Sequence, residues 1–195
     1  MALASADLAG WMAEVQGRIA ARRVAEPALV REGLRRAGVL VPLFVREGKL
    51  WILLTRRTES VEHHRGQISF PGGSEEETDE DLYATALRES QEELAIDPAD
   101  VIPLGPLSPI VTVTDFYVEP YVAAVPQPYV WHPAEAEIAE VIEAPLPKLM
   151  DPAILEQRTI PGREGTILFY HLGENVIWGA TARILSELLT SLRAE

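Results

Sequence analysis

The sequence predicts an α+β fold in a single domain, residues 1–195, and three observations carry that prediction. Strand-like and helix-like segments are mixed without the strict βαβ alternation of a parallel, doubly wound sheet. The chain has 195 residues, enough for one well-buried core, and no repeat, low-complexity tract or linker divides it. Hydrophobic residues are 47 % and charged residues 24 % of the chain, which are globular rather than disordered proportions.

The elements follow in order. Leu8, Trp11, Met12, Val15 and Ile19 recur at helical spacing among Asp7, Glu14 and Arg18, so the N-terminal part (1–36) reads as a helical extension and not as a signal peptide, which needs a basic start and an apolar run. Val39–Val45 and Leu50–Thr55 are β-rich and join around Glu47-Gly48 as a hairpin. Gln67–Phe70 is a short strand stopped by Pro71-Gly72-Gly73. A helix runs from about Asp81 to Ala95, with Pro98 beyond it as a stop. Ile110–Val113 and Val118–Val125 read as strands, broken by Asp115 and by Glu119-Pro120. Glu137–Ala144 is a strand, followed by a short helix around Leu146–Met150. Arg158–Ile160 and Thr166–His171 flank a second turn, and Val176–Trp178 is a brief strand. Ile184, Leu185, Leu188, Leu189 and Leu192 make 180–192 a packed helix.

Composition excludes several functions. With no cysteine there is no disulfide, thiol nucleophile or Cys-bound metal, which fits a cytoplasmic protein. No apolar run approaches the roughly 20 residues that span a bilayer. The net charge of −13 argues against a nucleic-acid partner, because polyanion binding runs on Lys and Arg. The charge is also uneven: residues 1–60 carry a net +4 and the remainder −17. The basic part either contacts phosphates or packs against the acidic part.

The chemistry concentrates in residues 66–96, GQISFPGGSEEETDEDLYATALRESQEELAI. On a helix, positions i, i+3 and i+4 share a face. Glu89, Glu92 and Glu93 therefore project within about 100° of arc, while Tyr83, Leu87 and Leu94 form the opposite, packing face. Three carboxylates in one place repel unless a hard divalent cation sits between them, and oxygen-only ligands select Mg²⁺ or Mn²⁺. Gly72 and Gly73 supply backbone angles and close approach that other residues forbid.

This stretch resembles the Nudix box, G-x5-E-x7-R-E-U-x-E-E-x-G-U with U aliphatic: Gly73, Glu80, Arg88, Glu89, Glu92, Glu93 and Ile96 match in kind. It departs in three places. The Gly73–Glu80 interval is one residue longer than the box has, Ser90 replaces an aliphatic residue, and Ala95 replaces the last glycine. The longer interval occurs in the coenzyme A pyrophosphatase branch. That branch also carries LLT-x-R-S-x-x-L-R-x-H-x-G-Q-x-x-FPGG, which residues 53–73, LLTRRTESVEHHRGQISFPGG, resemble at Leu53, Leu54, Thr55, Arg57, His64, Gly66, Gln67 and Phe70 to Gly73, while Glu62 stands where the branch has a basic residue. IWGATARILSELL near the C-terminus looks like a further branch motif; within it Trp178 and Gly179 read as packing residues.

The resemblance implies an α/β/α sandwich around a mixed sheet, and hydrolysis of CoA or a CoA derivative to 3′,5′-ADP and (acyl-)4′-phosphopantetheine. It implies a cofactor, Mg²⁺ or Mn²⁺, held by Glu92 and Glu93, by Glu89 as a further ligand or as the base, and by the Gly73 carbonyl. Arg88 orients a glutamate, with Glu80 as the expected partner. Arg56, Arg57, His64 and Gln67 are candidates for substrate contact, against surface or scaffold roles. Glu137 and Glu140 lie where related enzymes place a further base on a loop, but read more simply as surface carboxylates. The partner is a small nucleoside diphosphate derivative, with no nucleic acid or membrane, and a homodimer is compatible with the sequence. Rival readings are a diphosphatase of ADP-sugars, NADH or dinucleoside polyphosphates, and a non-catalytic nucleotide-binding regulator; the three retained box glutamates argue against the regulator.

Overall fold

The structure, a computed structural model, describes residues 8–22, 32–58, 66–159 and 165–193. The main sheet begins with β1 (Arg35–Arg46) and β2 (Lys49–Arg57), an antiparallel hairpin in register Arg46↔Lys49. Its two turn residues, Glu47 (φ 53°) and Gly48 (φ 68°), are both left-handed, the pairing whose twist matches the flanking strands. β3 (Ile68–Ser69) adds to β2, and β4 (Gly72–Ser74) returns to pair with β1. β5 (Ile102–Pro106) and β6 (Ile110–Val111) pair with β7 (Phe116–Ala124), which lies parallel to β1. β8 (Ile138–Pro145) pairs with β2. A second, three-stranded sheet holds β9 (Leu155–Thr159), β10 (Thr166–Leu172) and β11 (Asn175–Trp178) in the order β11-β10-β9. Among the described residues four α-helices accompany the sheets: α1 (Leu8–Ala21), α2 (Leu82–Leu94), α3 (Leu146–Leu149) and α4 (Gly179–Arg193).

Period-two alternation along the central strands divides the core in two. Leu40, Phe44, Leu53 and Ala123 face α2, together with Ala86, Leu94 and Ile96. Val41, Leu43, Ile52, Leu54 and Val122 face the other way, onto Trp11, Val15 and Ile19 of α1 and onto Ile184, Leu185 and Leu188 of α4. This is the expected helix–sheet–helix layering around a mixed sheet. α1 is more than an extension: Gln16 donates to the Pro103 carbonyl at 3.0 Å and Arg18 to that of Leu192 at 2.9 Å. Trp11 is buried, and a side chain of that size contributes about 2–3 kcal/mol by leaving water.

The structure corrects three local expectations. Glu119-Pro120 does not break β7, which runs through both residues while the Pro120 carbonyl accepts the Leu107 N–H. β5 and β4 escaped the pattern because their sequences, IPLGP and GGS, carry turn residues rather than alternation. Trp178 is not a packing residue; it is 46 % exposed, and its neighbour Ile177 takes the buried position on β11.

Proline also marks where β1 changes partner. Residues 37–39 pair with β4 and residues 43–46 with β2. Leu40 N–H points to that edge, donating to the Pro71 carbonyl at 2.9 Å, so position 42 faces the same edge two residues on. Pro42 falls in the gap between the two ladders, where no donor is needed.

The departure from the box at Ala95 is conformational. Ala95 caps α2 with φ 55° and ψ 36°, and its N–H bonds the Gln91 carbonyl. That left-handed position suits glycine and strains any residue with a Cβ. We expect Ala95→Gly to stabilise the protein by roughly 1 kcal/mol, a rise of about 2–4 °C in Tm at this chain length; an unchanged or lower midpoint in thermal denaturation would remove the strain argument. Ser90 is also accommodated: fully buried, its hydroxyl donates to the Ala86 carbonyl at 2.6 Å, so no polar group is orphaned.

Candidate active site

α2 is placed by its start and its footing. The Asp81 carboxylate caps it by accepting the Ala84 N–H at 2.8 Å. The footing is Gly38 of β1, where a Cβ would lie 1.9 Å from the Leu82 carbonyl oxygen, so only a glycine lets the helix sit this low on the sheet. The stripe turned to the sheet is Leu82, Thr85, Ala86, Ser90, Glu93 and Leu94, all buried. The acidic and packing faces are therefore not opposite, as helical spacing suggested. Glu93 lies inside the buried stripe with 3 % of its side chain exposed and Glu89 at its margin with 18 %, while Glu92 is 61 % exposed. Tyr83 and Leu87 pack as a half-buried flank.

The Gly-rich turn meets the buried carboxylates. Gly72 N–H donates to Glu93 Oε2 at 3.3 Å. A Cβ on Gly73 would stand 2.4 Å from Glu89 Cδ and 2.5 Å from both its carboxylate oxygens. The two glycines divide the roles expected of them. Gly72 has the left-handed backbone, φ 147°, and Gly73 provides the close approach.

Arg88 holds the acidic loop. Its Nε and Nη2 donate to the two carboxylate oxygens of Asp79 at 3.0 and 3.1 Å, and Nη2 also reaches the Ser74 carbonyl at 2.9 Å. Nη1 donates to Glu89 at 3.1 Å and to Glu92 at 3.3 Å. The expected partner, Glu80, is exposed; Asp79 takes the contact because Thr85 Oγ1 and the Glu76 N–H, both at 2.9 Å, fix its carboxylate facing the helix. Those bonds, Arg88 above all, hold Asp79 down at a pKa of about 2, and the pair pushes Arg88 upward. A depressed carboxylate stabilises the fold above its unfolded value of 3.8 and loses that contribution as pH falls towards 2. Breaking so bidentate and shielded a pair should cost about 2–4 kcal/mol. Asp79→Ala should therefore lower the denaturation midpoint at pH 7 but much less at pH 2.5, and Glu80→Ala should stay within about 0.5 kcal/mol of the parent. Equal losses in both variants would restore Glu80 as the partner.

Burial is the first cause of the electrostatics of the other two carboxylates. It pushes Glu89 upward, against the pull of Arg88. It raises Glu93 to about 8, with Arg57 opposing and Glu89 adding to the rise. Arg57 Nη1 is 3.7 Å from Glu93 and Nη2 is 3.9 Å from Glu137. Glu137, set aside in sequence as a surface carboxylate, thus stands at the site. Its turn is pinned by the Ala134 N–H to the Glu93 carbonyl and by Thr58 N–H to the Glu137 carbonyl, at 2.9 and 2.8 Å. Arg56 points elsewhere, bound to Glu140 at 2.9 Å and to Asn175 of the small sheet. Gln67 contributes its carbonyl to the Arg57 N–H at 3.0 Å. His64 and Glu62 lie outside the described residues.

The uneven charge of the chain is resolved by pairing across its two parts. Arg22, Arg36, Arg46, Arg56 and Arg57 all meet glutamates from beyond residue 60, namely Glu187, Glu75, Glu143, Glu140 and Glu93.

Among the described residues, no three His, Cys, Asp or Glu side chains converge closely enough to hold a metal ion. Glu89 and Glu93 nevertheless fit a hard divalent cation. They are shielded oxygen donors whose raised pKa values express an unmet need for positive charge. Glu92 would join them by turning off Arg88.

Comparison with known proteins decides the family. The NUDIX domain model matches residues 34–161. The chain belongs to the Nudix family. The chain is 39 % identical over 169 residues to the uncharacterized Nudix hydrolase NudL of Cronobacter sakazakii, covering 83 % of this chain and 86 % of that one. It is 38 % identical to NudL of Enterobacter sp., with the same coverage. Among solved structures, a Nudix hydrolase from Alicyclobacillus acidocaldarius superposes with a TM-score of 0.53 at 15 % identity, covering 85 % of this chain and 95 % of that one. A MutT/nudix family protein from Enterococcus faecalis gives 0.52 at 15 % identity, covering 94 % and 68 %. These two likenesses concern the fold. The chain is thus a Nudix pyrophosphohydrolase, an enzyme of a family that generally uses divalent metal ions. No described helix is long and apolar enough to cross a membrane.

Proposed function

We propose that this Nudix enzyme hydrolyses the diphosphate bond of coenzyme A or its derivatives, giving 3′,5′-ADP and (acyl-)4′-phosphopantetheine, with Mg²⁺ or Mn²⁺ as cofactor. One observation supports the reading above the others. The segment before the box, LLTRR…GQISFPGG, runs through β2, β3 and β4 and brings Arg57, Gly72 and Gly73 up to Glu89 and Glu93, with the Gln67 carbonyl bonded to the Arg57 N–H. In this reading Glu93, Glu92 and the Gly73 carbonyl hold the cation, and Glu89 is a further ligand or the base. A cation bound there would neutralise the diphosphate and make water a better nucleophile. Arg88 keeps Glu89 and the acidic loop in place, Arg57 faces the diphosphate, and His64 contacts the substrate. The whole chain, 1–195, forms one Nudix domain, with α1 part of its core.

The test is a panel of diphosphates assayed with Mg²⁺ and with Mn²⁺, with products identified by mass. CoA should be preferred. Its margin over dephospho-CoA should be under about tenfold, because Glu62 stands where the branch has a basic residue that would meet the 3′-phosphate. A charged hydrogen bond is worth roughly 1.5–3 kcal/mol, or one to two decades in kcat/KM, so Glu62→Arg should widen the margin by up to that amount. An enzyme that ignores both compounds and cleaves ADP-ribose or NADH would end the CoA assignment and leave the diphosphatase standing.

A further inference from the structure

Arg57 reaches the site through an irregularity in the sheet. Arg56 pairs with Glu140 across β2 and β8, but the register then slips and Arg57 pairs with Ile138. The two successive arginines separate: Arg56 is fixed to Glu140 and Asn175, and Arg57 turns to Glu93. Its guanidinium then sits between two carboxylates and hydrogen-bonds neither in full, at 3.7 Å from Glu93 and 3.9 Å from Glu137. Its Nε is buried with no hydrogen-bond partner. Arg88, the neighbouring cation, is committed to Asp79 in bidentate fashion, so Arg57 is the counter-ion facing Glu93.

A buried donor without a partner is a costly arrangement unless another state of the site satisfies it. A planar guanidinium 3.7 Å from a buried carboxylate is held loosely enough for a divalent ion to displace it, and it matches the bidentate geometry of a phosphate. We infer that Arg57 is an exchangeable counter-ion, which neutralises Glu93 until a divalent cation takes its place and then turns its guanidinium to the substrate diphosphate. It is a positioning residue for Glu93 in the metal-free enzyme and a phosphate ligand in the loaded one. The consequence is coupling: metal binding releases the group that recognises the substrate, so each strengthens the other. This inference rests on the metal-dependent reading above.

The test is Mn²⁺ binding to the full-length enzyme without substrate, followed by electron paramagnetic resonance. Arg57→Met, which removes the charge and keeps the stem, should bind Mn²⁺ about tenfold more tightly than the parent, and Arg57→Lys should return most of the way to it. The Arg57 Nε–H resonance of the parent should move on addition of Mg²⁺, a measurement that needs no variant to fold. Unchanged Mn²⁺ affinity in Arg57→Met, equal tightening in Arg57→Lys, or an Nε–H signal indifferent to Mg²⁺ overturns the exchange. A parent enzyme that binds no Mn²⁺ overturns the metal reading as well, which separates the two failures.

Discussion

Glu93→Gln is expected to lower kcat by at least about 100-fold while the fold survives. Glu93 is the most buried of the box glutamates and the one addressed by the Gly72 amide and by Arg57. In the proposed reading Glu93 helps hold the cation that offsets developing charge, so losing it in a shielded site removes several kcal/mol of transition-state stabilisation. Gln keeps the volume and can still accept the Gly72 N–H, so packing should hold. The stability effect has the opposite sign. The folded pKa of Glu93, about 8, lies above its unfolded value of 4.5. A raised carboxylate binds its proton more tightly in the folded state, so metal-free stability is unaffected below about 4.5 and falls as pH rises from there through 8. Denaturation in chelator should therefore show Glu93→Gln matching the parent at pH 4 and exceeding it by about 2 kcal/mol or more at pH 8.5. A variant with parental turnover, or one destabilised at both pH values, contradicts this account of the site.

Gly73→Val should abolish most activity without unfolding the protein, and Gly72→Ala should do the reverse. At Gly73 the obstacle is the end of the Glu89 side chain, 2.4–2.5 Å from a new Cβ. A flexible carboxylate can swing away, which spares the fold and removes Glu89 from the site. At Gly72 the obstacles are backbone: the Gly38 carbonyl at 2.4 Å and Val39 Cα at 2.6 Å, with φ at 147°. Neither can move without disturbing the β1–β4 ladder, so a loss of about 2–4 kcal/mol in stability is expected. The pair of variants separates chemistry from folding when kcat/KM and urea midpoints are measured side by side. Normal kcat/KM in Gly73→Val would mean that Glu89 works from another position.

Local chemistry alone determined much of this. The glutamate spacing of α2, the Glu47-Gly48 hairpin, the strand alternation of 39–45 and 50–55 and the leucine spacing of 180–192 are periodic signals, and periodicity is set by backbone geometry wherever the segment sits. The residues 53–73 and 66–96 likewise carried the family resemblance as linear motifs. Tertiary structure decided what depends on a neighbour distant in sequence. Helical spacing placed Glu89, Glu92 and Glu93 on one side, but only the seat of α2 on Gly38 and the Gly72-Gly73 turn determined that Glu93 is buried and Glu92 is not. Spacing in the box pointed to Glu80 for Arg88, whereas the turn held by Thr85 and the Glu76 amide presents Asp79. Two adjacent arginines looked equivalent until the β2–β8 slip sent Arg56 to the small sheet and Arg57 to Glu93. Glu137 looked like surface because its role comes from a turn tied to the end of α2, some forty residues earlier in the chain. Burial and ion-pair choice are properties of the packed molecule: a carboxylate's pKa and partner follow from which surfaces close over it, and no local repeat encodes that closure.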